Sequence, residues 1–189
     1  MTNSEVYYTT CWNAVTRRPD PDHRWLNASA ARQLYESHHG IDVIDAAVTD
    51  ASDVPWPRWA IEFTGSEARV RFLDQHTALW RQVDYYAVDD RLWRHGTYDF
   101  TYPDDSKRWE QSDLMLKVES VVRPDGTGSL TILDKTECKP GTQLVSQYSG
   151  RAINAYWIDR PEFGDWAALT DPGPSAYEVA GEDAAVRAS

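Results

Sequence analysis

The chain has 189 residues, of which 41% are apolar and 26% charged, and its formal net charge is -11 at pH 7. This size and composition predict one folded, soluble domain and exclude global disorder. No apolar run approaches the ~20 residues of a membrane helix, and the acidic excess disfavours nucleic acids and anionic membranes as partners. The first residues lack the pattern of a secretory signal, so we expect a cytoplasmic protein.

Three further composition features bear on the class of protein. The only cysteines, Cys11 and Cys138, lie far apart and exclude a disulfide framework. Nine Trp and ten Tyr predict either a bulky core or a recognition surface. The excess of Arg over Lys is typical of proteins from GC-rich bacterial genomes.

The N-terminal part of the chain predicts one strand and one helix. Residues 5–16 alternate apolar or aromatic side chains with polar ones, as a half-buried strand does. Asn27 is a suitable N-cap for a helix over 28–39, with Gly40 just beyond its end. We expect this single N-terminal helix to pack on a sheet.

The centre of the chain predicts an antiparallel meander, because its turns are too short to hold a crossover helix. The predicted strands are 58–64, 67–73, 78–88, 91–102, 110–122, 129–138 and 142–149. With one helix to cover about seven or eight strands, we expect the sheet to curl into a barrel or half-barrel. The predicted fold class is therefore α+β, mostly β, with a single domain over residues 1–170 and a flexible acidic tail over 171–189.

Asp89-Asp90 predicts a two-residue hairpin loop that places Asp84 opposite His95. One face of this hairpin would carry Trp80, Gln82, Asp84, Tyr86, Trp93, His95, Thr97 and Asp99. The other face would carry Leu79, Arg81, Val83, Tyr85, Ala87, Leu92, Arg94, Tyr98 and Phe100. The second face is the more apolar, so we expect it to face the core. A slip of one residue would exchange the two faces.

The following hairpin is predicted by shared parity. Its apolar positions fall on one face only if the loop around Pro124-Asp125-Gly126 has an odd number of residues; these positions are Leu114, Leu116, Val118, Val122, Leu130 and Ile132. A loop of three or five residues is therefore favoured, with Gly126 or Gly128 at positive φ.

The chain lacks the common phosphate-binding, dinucleotide-binding, serine-hydrolase and zinc motifs, so we predict no cofactor and no metal. Asp84 and His95 are the candidate acid–base pair, because a carboxylate that holds one imidazole nitrogen raises the basicity of the other. Trp80, Tyr86 and Trp93 would supply a stacking surface beside them. An ordinary polar pair on a solvent-facing sheet is the competing interpretation.

Two functions fit these patterns. The first is a non-catalytic acidic protein that engages a basic protein partner, as an immunity or inhibitor module does, through Trp80, Tyr86, Trp93 and Asp99. The alternative is a small barrel that holds an organic ligand, or an enzyme of the cyclase, dehydratase or isomerase type that uses Asp84 and His95. The alternative requires His95 inside the barrel, and His95 on an outer face would remove its support.

Overall fold

The computed structural model describes residues 6–45, 54–136 and 142–181, and antiparallel strands predominate in them. The strands are β1 Val6–Thr9, β2 Trp12–Asn13, β3 Arg18–Pro19, β4 Ile41–Asp45, β5 Trp59–Phe63, β6 Glu67–Leu73, β7 Leu79–Val88, β8 Arg91–Thr101, β9 Leu116–Val122, β10 Gly128–Asp134, β11 Thr142–Tyr148 and β12 Trp157–Asp159. The helices are α1 Ala28–Glu36, α2 Ala167–Thr170 and α3 Ala176–Ala180, with 3₁₀ turns at Gln111–Asp113 and Ile153–Tyr156. None of the helices in these ranges has the length and apolarity to cross a bilayer.

Ten strands form one antiparallel sheet in which spatial neighbours follow the chain from β4 to β11. β1 pairs with the edge of β4 that does not pair with β5, and β12 pairs with the start of β8. The meander prediction is therefore confirmed. The barrel prediction is wrong, because the edge strands β1 and β11 do not pair with each other in the described part of the chain. The helices and the C-terminal segment cover one sheet face, so burial of that face does not require closure.

A single row of side chains crosses nine strands and is buried along its whole length. The row consists of Tyr8, Val43, Ile61, Val70, Val83, Thr97, Ser120, Leu130 and Ser146, each opposite the next. Because side chains alternate between the two faces of a strand, this row fixes which face each residue occupies. We call its side, against which α1 and α3 pack, the helix-covered face, and the opposite side the outer face.

α1 begins where the sequence predicts. The side chain of Asn27 accepts a hydrogen bond from the backbone N–H of Ala30, and the buried Ala31 and Tyr35 pack against the sheet. The helix ends before residue 39, because His38 adopts a left-handed φ of 57°. It is also not N-terminal, since β1, β2 and β3 precede it.

Helix α3 lies within the segment predicted as a flexible tail. The side chain of Ser175 accepts from the N–H of Glu178, and the Glu178 carboxylate accepts from the N–H of Ser175. The buried residues of this helix are Ala176, Val179 and Ala180. Small side chains let the helix approach β9 and β10 closely, so this part of the chain is packed. Residues 182–189 lie outside the described residues.

The hairpin of β9 and β10 confirms the parity prediction. Its loop has five residues, 123–127, and Val122 pairs with Gly128. Gly126 adopts φ 78°, and a Cβ there would lie 2.8 Å from the carbonyl oxygen of Arg151. The loop therefore needs glycine both for its backbone conformation and for this close approach.

The predicted first strand is broken in two, and its second half lies on the outer face. β2 and β3 form a separate hairpin, and Trp12 packs on a cluster that includes Ile44, Ala60 and Leu73. Cys11, at the break, donates its thiol hydrogen to Asp20, and this bond raises the pKa of the thiol. Cys138 lies outside the described residues.

Candidate ligand-binding cleft

A cleft of about 690 Å³ opens on the helix-covered face, between the ends of β5, β6 and β7 and the segment 164–172. Its aromatic lining residues are Trp59, Phe72, Trp80 and Trp166. Arg58, Asp165 and Thr170 contribute the polar part of its lining. The cleft thus combines flat apolar surfaces with a few groups that can form directional polar contacts.

Trp80 reaches the cleft because β7 is irregular at this point. Phe72 pairs with Arg81 and Leu73 pairs with Leu79, so Trp80 is an extra residue in the described register. Its ring centroid lies 5.9 Å from that of Phe72. The guanidinium of Arg81 lies 5.0 Å from the centroid of the same indole, so the ring is held from two sides.

Trp166, the residue before α2, forms the inner wall. Its ring packs edge-on against Tyr35, with centroids 5.4 Å apart, and against Phe163, with centroids 5.6 Å apart. It also contacts Phe63 at 5.5 Å. Only 5% of Trp166 is exposed. These tilted and edge-to-face contacts hold the wall in one arrangement before any ligand enters.

A cation stands at the mouth of the cleft. Arg58 donates from Nε to Asp45 at 2.8 Å, and its backbone N–H donates to the same carboxylate oxygen at 3.3 Å. The Asp45 side chain is fully buried, whereas 67% of the Arg58 side chain is exposed. The interaction with Asp45 raises the pKa of Arg58. The buried carboxylate therefore fixes a charged guanidinium that still faces solvent and the cleft.

The loop 171–175 crosses the helix-covered face beside the cleft, and a buried ion pair holds it there. Arg81 pairs with Asp99 and donates from Nη1 to the carbonyl oxygen of Gly173 at 3.0 Å. The second carboxylate oxygen of Asp99 accepts from the N–H of Ala176 at 2.7 Å. Asp99, which the sequence predicts to contact a partner, joins the sheet to the C-terminal segment.

Of the four predicted binding residues, Tyr86 and Trp93 lie opposite each other on β7 and β8, whereas Trp80 and Asp99 lie elsewhere. Trp80 lines the cleft, Asp99 is in the ion pair, and Tyr86 is 44% exposed on the outer face. Trp93 is only 2% exposed and donates from Nε1 to the carbonyl oxygen of Val122 at 3.2 Å. Strands β9 and β12 pair with the same edge of β8, one after the other. The Trp93 ring fills the gap between their ends. The structure therefore does not bring these four residues together.

A bulge in β8 moves Asp99 to the helix-covered face, just as the irregularity in β7 moves Trp80. The predicted register holds in the half of the hairpin next to its loop, from Val88 opposite Arg91 to Tyr85 opposite Arg94. Beyond that point, Asp84 pairs with Gly96 and not with His95. His95 is the extra residue, and the rest of β8 is shifted by one. The predicted face is therefore wrong for four residues of β8. Thr97 and Asp99 lie on the helix-covered face, and Tyr98 and Phe100 lie on the outer face.

Asp84 and His95 share a small depression of about 160 Å³ on the outer face, but each has other neighbours. Asp84 accepts from Nε of Arg69 at 3.1 Å and from the side-chain amide of Gln82 at 3.0 Å. The His95 ring stacks on Tyr86 with centroids 4.2 Å apart. Burial lowers the pKa of His95, which favours the neutral imidazole. Its outer-face position is the one that removes support from the barrel interpretation.

Three cleft residues escaped the sequence analysis: Arg58, Trp59 and Trp166. The chain just before Trp166 pairs with the sheet, because β12 pairs with β8. Trp166, however, folds back over β5 and β6, which lie about a hundred residues earlier in the chain. Local periodicity carries no signal for such a contact.

Comparison with known proteins gives no relative from which roles could be transferred. The chain matches no protein-family model, and no significant match was found among curated proteins or solved structures. Within residues 6–45, 54–136 and 142–181, no three His, Cys, Asp or Glu side chains lie close enough to share a metal ion.

Proposed function

We propose that the protein binds a small, planar organic molecule with an acidic group in this cleft, without catalysing a reaction. The observation that carries the proposal is the pair of partly buried indoles, Trp59 and Trp80, in front of the fixed ring of Trp166. A volume of about 690 Å³ lies within the range of small-molecule sites. Partly buried tryptophan rings gain further contact area when a flat ligand covers them.

Arg58 supports an acidic group on this ligand. Because Asp45 already holds its Nε, the guanidinium keeps its orientation when a ligand binds, and little side-chain entropy is lost. A carboxylate, sulfonate or phosphate could then accept charge-assisted hydrogen bonds from the outer nitrogens. The flat apolar body would lie on the aromatic wall, and the acidic group would remain at the mouth.

The negative net charge supports a basic protein partner less than the sequence alone indicates, because some of the acidic residues have a role in the fold. Among the residues that the structure describes, five aspartates accept a hydrogen bond from the backbone N–H two residues later, namely Asp74, Asp104, Asp125, Asp134 and Asp171. Such side chains shape turns, so part of the acidic excess has a folding role. Binding of a basic protein through Trp80, Tyr86, Trp93 and Asp99 stays a prediction, and so does acid–base catalysis by Asp84 and His95.

Blocking the cleft tests the proposal. Ala167 and Ala168 are adjacent exposed residues of α2, but only Ala167 lines the cleft. With anilinonaphthalene sulfonate as a planar acidic probe, we expect Ala167→Trp to weaken binding by about tenfold or more, because the new indole occupies the ligand volume. The matched variant Ala168→Trp should stay within about twofold of the unmodified protein.

The measurement is a fluorescence titration of the probe, with near-ultraviolet circular dichroism to verify that both variants keep their packing. Arg58→Gln should weaken binding of the acidic probe and leave binding of an uncharged naphthalene analogue unchanged. Arg91→Gln, at an exposed ion pair, should change the binding of neither compound. Equal probe affinity in Ala167→Trp and Ala168→Trp would contradict the proposal.

A further inference from the structure

A second pocket lies on the other side of the loop 171–175 from the aromatic cleft. Pro172 of this loop lines the cleft, and Pro174 lines the second pocket, which has a volume of about 310 Å³. Its polar lining comprises Arg94, Arg151, Tyr156 and Glu178. Two guanidinium groups thus point to one small space, in a protein whose net charge is strongly negative.

Arg94 is committed to neutral oxygens. It donates from Nε to the hydroxyl of Thr97 at 3.2 Å, and from Nη2 to the carbonyl oxygens of Pro172 at 3.1 Å and Pro174 at 3.2 Å. Burial lowers the pKa of Arg94. Carbonyl oxygens satisfy hydrogen bonds but do not neutralise the charge, and Asp171 acts on this partly buried cation only without direct contact.

Arg151 has even fewer polar contacts. Its Nε is buried and has no hydrogen-bond partner among the described residues. Its guanidinium lies 5.3 Å from the ring centroid of Tyr148. Neither Arg151 nor Arg94 forms an ion pair with a carboxylate of the described ranges. The outer nitrogens of Arg151, which lines the pocket, likewise form no hydrogen bond within the described residues, and an anion would supply the acceptors that they lack.

The other polar groups of the pocket are already occupied. Tyr156 donates its hydroxyl hydrogen to the carbonyl oxygen of Val179 at 3.3 Å. Glu178, the acidic lining residue, accepts at Oε2 from both the N–H and the hydroxyl of Ser175 at 2.7 Å. These bonds direct its carboxylate to the start of α3. Nη1 of Arg94 and the outer nitrogens of Arg151 therefore remain to contact an incoming anion.

We propose that this pocket binds a phosphate group, held by Arg94 and Arg151. Guanidinium groups present several donors in a planar fork that matches oxyanions. Two such groups match the charge of a phosphate dianion better than that of a single carboxylate. The pocket is larger than one phosphate, so both free phosphate and the phosphate of a small monoester fit. The site is separate from the aromatic cleft and does not depend on its function.

The experiment measures binding of inorganic phosphate and of phenyl phosphate by calorimetry and by the rise in melting temperature, against sodium chloride of equal ionic strength. Arg151→Gln should weaken binding by about tenfold, because half of the fork contacts and one charge are lost. Arg123→Gln, at an exposed arginine of the β9–β10 loop, is the matched control and should stay within about twofold.

Arg151→Lys provides a second variant if the glutamine variant loses its near-ultraviolet signal. It keeps the charge but loses the planar fork, so we expect a smaller loss of affinity, about threefold. Tighter binding of phenyl phosphate than of phosphate assigns the site to a monoester, and the reverse assigns it to the free anion. Equal stabilisation by phosphate and chloride, or unchanged binding in both Arg151 variants, would overturn the proposal.

Discussion

The two faces of the sheet differ in how far their charged side chains are exposed to solvent. On the helix-covered face, the row from Tyr8 to Ser146 is buried, and the charged pair Arg81 and Asp99 holds the C-terminal segment in place. On the outer face, charges face solvent in neighbouring pairs, as where Arg69 lies between Glu62 and Asp84. Covering one face with helices is therefore enough to make a core, and both proposed pockets lie where the covering segment meets that face.

The largest expected effect is on the helix-covered face. Ile61→Ala should lower the free energy of unfolding by about 3 kcal/mol, because it leaves a cavity in a fully buried row. The neighbouring outer-face variant Glu62→Ala should cost less than about 1 kcal/mol. Urea unfolding of both variants makes the measurement. Equal losses would show that the two faces do not differ in this way.

Asp42 sharpens the comparison, because it is an outer-face residue that the β2–β3 hairpin partly buries. Burial raises the pKa of Asp42 to about 6, although the N–H of Trp12 donates to it at 2.6 Å. The protonated form is thus favoured in the folded state, and its contribution to stability is lost as pH rises from about 4 through 6. We expect Asp42→Asn to be more stable than the unmodified protein by about 2 kcal/mol at about pH 8.

The same difference should approach zero near pH 4, where Asp42 is itself neutral in the folded protein. Chemical denaturation at the two pH values, with the unmodified protein as the reference, separates this group from the turn carboxylates, whose pKa values are lowered. A constant difference at both pH values would contradict the assignment to Asp42.

The smallest expected effect concerns the exposed charge network. Arg69→Ala removes contacts to Glu62 at 3.6 Å and to Asp84 at 3.1 Å. Because these side chains are partly solvated, the loss of unfolding free energy should be below about 1 kcal/mol and should shrink further in high salt. Melting curves at low and high salt test this, and a salt-independent loss would point to packing of the arginine stem instead.

The alternation of apolar residues predicted the strands well where the strands are regular. The β9–β10 hairpin follows its parity up to Gly126, because nothing interrupts the ladder. In the β7–β8 hairpin the same argument holds only up to the extra residue His95, since a bulge leaves no mark in a period-two pattern. β4 was missed although Ile41-Asp42-Val43 alternates, because the strand is only five residues long and follows a helix.

The candidate site was less accessible to sequence reasoning than the fold. Trp80 was singled out, but for a face it does not occupy, because a second bulge lies between Leu79 and Arg81. Arg94 and Arg151 have no local feature that distinguishes them from surface arginines. Their meeting depends on how the segment after residue 150 returns across the sheet, and composition and spacing do not encode such long-range packing.

The order of the strands also has a consequence for the folding rate. Four of the connections between consecutive sheet strands contain only two to five residues, at 64–66, 74–78, 89–90 and 123–127. Each such hairpin closes a small loop and loses little chain entropy. The C-terminal crossover, by contrast, joins residues separated by about a hundred positions. We therefore expect the meander to form early and the two pockets to be completed in the last and slowest stage of folding.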